Sequence, residues 1–91
     1  MSFRVLVVDD EPAIRAQLAE SLEEAGFAAE IAADGMEALR LAGSGSFDLC
    51  LSDIRMPSMS GLELLRRLGE VSPETAPILM TAFGGLEPAV E

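Results

Sequence analysis

The sequence predicts an α/β fold, a doubly wound parallel sheet in the order βαβαβαβ with a further helix beginning as the chain stops. Three observations carry this. Four short apolar runs, the first of them rich in β-branched residues, stand at regular spacing. Stretches with a helical apolar period separate them. Strict alternation of the two implies parallel strands with helices on the sheet faces.

Each element follows from its residues. Phe3 to Val8 is rich in branched apolar residues and reads as a strand buried on both faces. Asp9-Asp10-Glu11-Pro12 stops it. Pro12 suits a first helical turn, and the preceding acids favour that helix's positive end. Ile14, Leu18, Leu22 and Ala25 recur at helical spacing, and Gly26 is a natural stop. Phe27 to Ala32 reads as a second, weaker strand because alanine has low β propensity. Asp34-Gly35 signals a turn. Met36, Leu39 and Ala42 give one side of a short helix, which Gly43 to Ser46 breaks.

Phe47 to Ser52 is the third strand, followed at once by Asp53 and a loop to Ser60. Gly61 opens a helix in which Leu62, Leu65 and Leu68 line one face, widened by Leu64 and Val71; Ser72-Pro73 ends it. Pro77 to Met80 is the fourth strand, with Thr81-Ala82 at its end. Gly84-Gly85 is a connection, and Glu87 to Glu91 has the look of a helix start.

Composition bounds the function. A chain of 91 residues allows one domain, spanning 1–91. With 49% hydrophobic and 24% charged residues it is globular rather than disordered. The net charge of −10 argues against direct contact with nucleic acid and fits a basic protein surface or a divalent cation as partner. Its longest apolar runs are too short to span a membrane, and there is no signal peptide. The single cysteine, Cys50, lies in an apolar run and reads as a buried thiol, consistent with a reducing cytoplasm. Met56, Met59 and Met80 read as packing residues and Arg66-Arg67 as a solvated helix face.

The chemistry lies at the strand ends. Asp9 and Asp10 follow strand one, Asp53 follows strand three, and Thr81 ends strand four. In a parallel sheet these ends share one edge, where ligands of open α/β sheets bind. Carboxylates brought together there repel one another and call for a hard cation such as Mg2+. A carboxylate beside bound Mg2+ can act as a nucleophile toward phosphorus, and a hydroxyl such as that of Thr81 can donate to the transferred group. Plainer readings stand beside this one. Asp-Asp before a proline-started helix is also an ordinary capping arrangement. A lone Asp after a strand is often a turn residue, and a strand-end Thr a β former.

Three segments resemble the receiver domain of two-component response regulators: Val7 to Pro12, Asp53-Ile54-Arg55-Met56-Pro57-Ser58-Met59-Ser60-Gly61-Leu62, and Pro77 to Ala82. The resemblance implies a flavodoxin-like sheet of order 2-1-3-4-5. It implies Asp53 as phosphoacceptor, taking its phosphoryl group from a histidine kinase. It implies Mg2+ held by Asp10, Asp53 and the backbone carbonyl of Arg55, with Asp9 acting through water. Thr81 would be the switch hydroxyl and the Ala82 backbone a phosphate contact. The output domain or effector would lie outside this chain, and a metal-dependent phosphatase fits less well because Arg55, not a second carboxylate, stands two residues after Asp53. The protein is then a signalling phosphoacceptor rather than an enzyme, at most phosphorylating itself from a donor and losing the group by hydrolysis. The stretch from Phe83 to Glu91 is most similar to receivers attached to ATPase-type transcriptional activators.

One departure is plain. The family places a lysine after a fifth strand, and this chain has no lysine. The expectation is a receiver incomplete at its C-terminal end, lacking the fifth strand, the fifth helix and most of the fourth. It would bind Mg2+, transfer phosphoryl groups slowly or not at all, and self-associate through strand four and residues 83–90, which sedimentation would reveal. The alternative is a pseudo-receiver acting by protein contact alone.

Overall fold

The computed structural model describes residues 3–80. Strands β1 (Arg4–Val8), β2 (Ala28–Ala32), β3 (Leu49–Asp53) and β4 (Ala76–Met80) alternate with helices α1 (Pro12–Glu24), α2 (Gly35–Ser44) and α3 (Gly61–Val71). All strands are parallel, in the order β2-β1-β3-β4. Thr81, Ala82 and the segment 83–91, with its expected helix start and self-association surface, lie outside the described residues.

The connections fix which face each helix covers. The crossover from β1 to β2 runs one way across the sheet, and those from β2 to β3 and β3 to β4 run the other. Right-handed crossovers therefore place α1 on one face and α2 with α3 on the opposite face. The packing agrees: α2 packs on α3, and α1 packs on β2 and β1. Val5 to Val8 are almost wholly buried, as expected of a central strand. Leu6, Val8 and Cys50 meet Ala38, Ala42, Phe47, Met56, Met59, Leu64 and Leu68 in one core. Cys50 is a buried thiol, and burial pushes its pKa up to about 12, so it is inert at neutral pH. Met80, by contrast, is only half-buried.

The helix faces differ from the sequence reading. In α3 the buried residues are Gly61, Leu64 and Leu68, while Leu62 is 62% exposed and Val71 45%. In α2 they are Gly35, Ala38 and Ala42, and Met36 points outward at 59% exposure. In both helices the inward stripe starts on a glycine one residue earlier than the first large apolar residue suggests. Hydrophobic size identifies such a stripe poorly, because small residues are what let backbones approach. A Cβ on Gly35 would press on Met59, and one on Gly43 would sit 3.3 Å from Val71. The α2 helix accordingly continues through Gly43 and Ser44 before Gly45 ends it. Helix α1 buries no residue: Leu18 and Leu22 are half-buried, Ile14 is 43% exposed, and Ala25 is the exposed C-cap.

Local bonds terminate the elements. Gly26, at φ +101, closes α1 in a Schellman motif: Phe27 N–H donates to Leu22 O at 3.0 Å and Gly26 N–H to Glu23 O at 3.1 Å. Asp34 is the N-cap of α2, accepting from Glu37 N–H at 2.9 Å, while the Glu37 carboxylate accepts from Ala33 N–H. Ser60 caps α3 in the same way, accepting from Glu63 N–H. Arg66 and Arg67 lie on the outer face of α3 and both bond Glu63, whose carboxyl pKa they hold down at about 2. At the edge opposite the strand C-termini, Thr75 Oγ1 donates to Phe47 O at 2.8 Å and receives Ser72 Oγ at 2.7 Å, both hydroxyls buried. Among the described residues β4 is one edge of the sheet, with Ile78 47% exposed on it.

Candidate functional site

The strand order reverses between β1 and β3, and the first carboxylates sit at that point. Asp9 directly follows β1, Asp10 follows it, and Asp53 is the last residue of β3. One oxygen from each lies within 4.8 Å of the others. Asp9 is 4% exposed and Asp53 9%, whereas Asp10 faces solvent. They form the floor of a cleft of about 560 Å³, walled by Glu11, Ile14, Leu18, Arg55 and Met80.

Backbone bonds set their positions. Asp9 N–H donates to Ala32 O, joining the loop to β2. Asp9 Oδ1 accepts from Glu11 N–H at 2.9 Å, which makes a local Asx turn. Glu11 is the N-cap residue of α1, and its side chain makes no cap bond. The acid pair is therefore not the ordinary helix cap it resembles in sequence; Asp9 supports the turn, and Asp10 is left to the cleft. On the other side, Ile54 N–H bonds Met80 O and Gly61 N–H bonds Ile54 O at 2.8 Å. Arg55 N–H approaches Asp53 Oδ1 at 3.5 Å. Gly61 begins α3 hard against the end of β3: a Cβ there would collide with the Asp53 carbonyl oxygen and touch Ile54 Cα and Leu79 Cδ2 at 3.0 Å.

The electrostatics follow from this crowding. Burial pushes the Asp9 carboxyl pKa above its ordinary value of 3.8. The Glu11 amide opposes that rise, and the charges of Asp53, Asp10 and Glu11 add to it. The donors are all carboxylate oxygens, without histidine or thiolate, and this set suits a hard oxygen-seeking cation of the Mg2+ type. A chain of net charge −10 that gathers three acids in one cleft gains from such an ion.

Of the residues singled out from sequence, the structure brings Asp9, Asp10, Asp53 and Arg55 together; Thr81 and Ala82 lie outside the described residues. Sequence reasoning missed the cleft walls, Ile14, Leu18 and Met80. Ile14 belongs to the apolar stripe that helical spacing predicts, yet it is 43% exposed and lines the cleft with Leu18. It also missed Arg15, whose Nη1 donates to the Asp9 carbonyl oxygen at 3.0 Å.

Comparison with known proteins agrees with this architecture. The family model described as response regulator receiver domain matches residues 5–91. The chain is 48% identical over 81 residues to a protein-glutamate methylesterase/protein-glutamine glutaminase of Caulobacter vibrioides, covering 88% of this chain and 23% of that protein. It is 40% identical over 82 residues to the response regulator MprA of Mycobacterium ulcerans, covering 90% of this chain and 35% of that protein. It thus spans about a quarter to a third of the length of these relatives. The crystal structure of the response regulator TrrA of Thermotoga maritima, in complex with Mg2+-BeF, superposes with a TM-score of 0.84 at 44% identity, covering 92% of this chain and 72% of that one. With the fold, the strand order and the family match in agreement, the chain belongs to the response regulator receiver domains of two-component signalling.

Proposed function

We propose that the chain is a phosphoacceptor: Asp53 takes a phosphoryl group from a histidine kinase, with Mg2+ at the acidic cleft, and its modification switches an output domain or effector. The observation that carries this reading is the meeting of three carboxylates from two strand ends within 4.8 Å, with Asp53 nearly buried at the cleft floor. The crystallised Mg2+-BeF complex of the T. maritima relative supports the same reading.

In this reading Asp10, Asp53 and the Arg55 carbonyl hold the ion, and Asp9 reaches it through water. The bound ion offsets negative charge on the phosphoryl oxygens. An Asp53 carboxylate oxygen attacks phosphorus, the donor group leaves with its bonding electrons, and an acyl phosphate forms. Water later attacks the same phosphorus and restores the carboxylate. Thr81 and the Ala82 amide are the proposed phosphate contacts, and the proposed place of action is the cytoplasm.

Incubation with a small phosphodonor and Mg2+, followed by intact-mass measurement, tests this. The chain gains one phosphoryl group slowly, since it has no lysine to neutralise the transferred group, and Asp53→Asn gains none. An equal gain in Asp53→Asn overturns the assignment. A parent chain that also stays unmodified in excess donor counts against phosphoacceptance by these 91 residues.

A further inference from the structure

Six arginines are the only basic side chains. Arg4, Arg40, Arg66 and Arg67 each pair with a glutamate, and Arg55 lies along the cleft. Arg15 is placed differently. It stands in the first turn of α1, where its own N–H makes the opening bond to Glu11 O. Helical side chains lean toward the helix N-terminus. The half-buried Arg15 side chain therefore reaches back over that turn, and Nη1 donates to the Asp9 carbonyl oxygen at 3.0 Å.

We infer that Arg15 is a positioning residue for the cleft, holding the Asp9–Asp10 peptide so that the Asp10 carboxylate meets those of Asp9 and Asp53. The inference rests on the reading of the cleft as a Mg2+ site. The Asp9 carbonyl and the Asp10 N–H belong to one planar unit. Fixing the oxygen fixes the rotation of that unit and the line of the Asp10 N–Cα bond, and the Glu11 N–H bond to Asp9 Oδ1 restrains the peptide on the other side of Asp10; together they aim the Asp10 Cα–Cβ bond. Asp9 needs no such help, since its amide is bonded to Ala32 and its Oδ1 to Glu11. Asp10 is exposed, so packing does not orient it, and the backbone must.

Charge and position make opposite predictions, which gives a clean test. Arg15 is a cation near a cation site, so by Coulomb's law alone its removal tightens Mg2+ binding. By positioning, its removal weakens binding, by about tenfold on the scale of groups that orient metal ligands. Calorimetric titration of the 91-residue chain with MgCl2 reads the affinity, with thermal unfolding confirming that each variant is folded. Arg15→Met weakens binding about tenfold, and Arg15→Lys, which keeps a donor on a long stem, recovers at least half of that loss on a logarithmic scale. Binding by Arg15→Met that equals or exceeds that of the parent overturns the inference. So does an equal loss in Arg15→Lys, which assigns the effect to the helix rather than to the bond. Should Arg15→Met not fold, Arg15→Gln takes its place and is read against Arg15→Lys by the same two criteria. If the parent itself binds no Mg2+, it is the Mg2+ reading of the cleft that fails, and the two failures are thereby distinct.

Discussion

Replacing Asp9 with Asn stabilises the metal-free chain and weakens its hold on Mg2+. The two effects have opposite signs because one charge causes both. Asp9 is buried at 4% exposure, beside Asp10 and Asp53, with a pKa raised first by its burial. Asn keeps the Oδ1 acceptor for Glu11 N–H, so the Asx turn survives and the charge alone is lost. The gain is the cost that burial and the neighbouring charges impose on the ionised carboxylate. Tm rises with it, and in a domain of this size each kcal/mol moves Tm by roughly 4–8 °C.

Its pH dependence is fixed by linkage. The folded pKa of Asp9 lies above the unfolded value, so the ionised carboxylate destabilises the fold. The penalty is absent below the ordinary value of 3.8, grows as pH rises from there, and is complete once pH exceeds the folded pKa. Asp9→Asn is therefore more stable than the parent at neutral pH, and the curves converge as pH falls toward 3.8. Saturating Mg2+ reverses the order, because the parent gains binding energy that the variant lacks. Thermal melts at several pH values, with EDTA and with Mg2+, read all of this; a variant less stable than the parent in EDTA at neutral pH contradicts it.

Among the described glycines, Gly61 has the least room for an added methyl group, and Gly61→Ala destabilises the chain. Alanine is the better helix former by about 1 kcal/mol, and propensity alone predicts a gain. Geometry outweighs it. The new Cβ collides with the Asp53 carbonyl oxygen and crowds Ile54 Cα, and backbone atoms cannot swing aside as the end of a side chain can. Helix α3 has to move away from the end of β3, straining the Gly61 N–H bond to Ile54 O and loosening Leu64 and Leu68. The net cost is about 2–3 kcal/mol. Urea denaturation measures it, and an unchanged midpoint contradicts the packing described here. The same displacement shifts Asp53, so this variant also binds Mg2+ less well.

What the sequence disclosed and what it concealed differ by physical cause. The strands were legible to within one or two residues because short apolar runs alternate with helical-period stretches, although only β1 is rich in branched residues. The edge that collects Asp9, Asp10 and Asp53 was legible because parallel topology leaves strand C-termini together. The inward faces of α2 and α3 were not. Their stripes run through Gly35, Ala38, Ala42 and Gly61, residues that bury backbone rather than bulk, while the large Met36 and Leu62 point to solvent. The N-terminus of α1 was ambiguous in the same way. An acid pair before Pro12 is compatible with a cap, and only the bond from Glu11 N–H to Asp9 Oδ1 shows that Asp9 shapes the turn instead. The bond from Arg15 to Asp9 spans six residues and joins a helical side chain to a loop carbonyl, a contact no periodicity encodes.

The central claim is that the cleft at the β1–β3 switch point is a cation site of which Asp53 is a working part. Calorimetric titration of MgCl2 into the parent chain and into Asp53→Asn tests it most directly. The account predicts one bound ion in the parent and an affinity at least about tenfold weaker in the variant, on the scale expected when a charged oxygen ligand is lost. Equal affinity in the two proteins would contradict it.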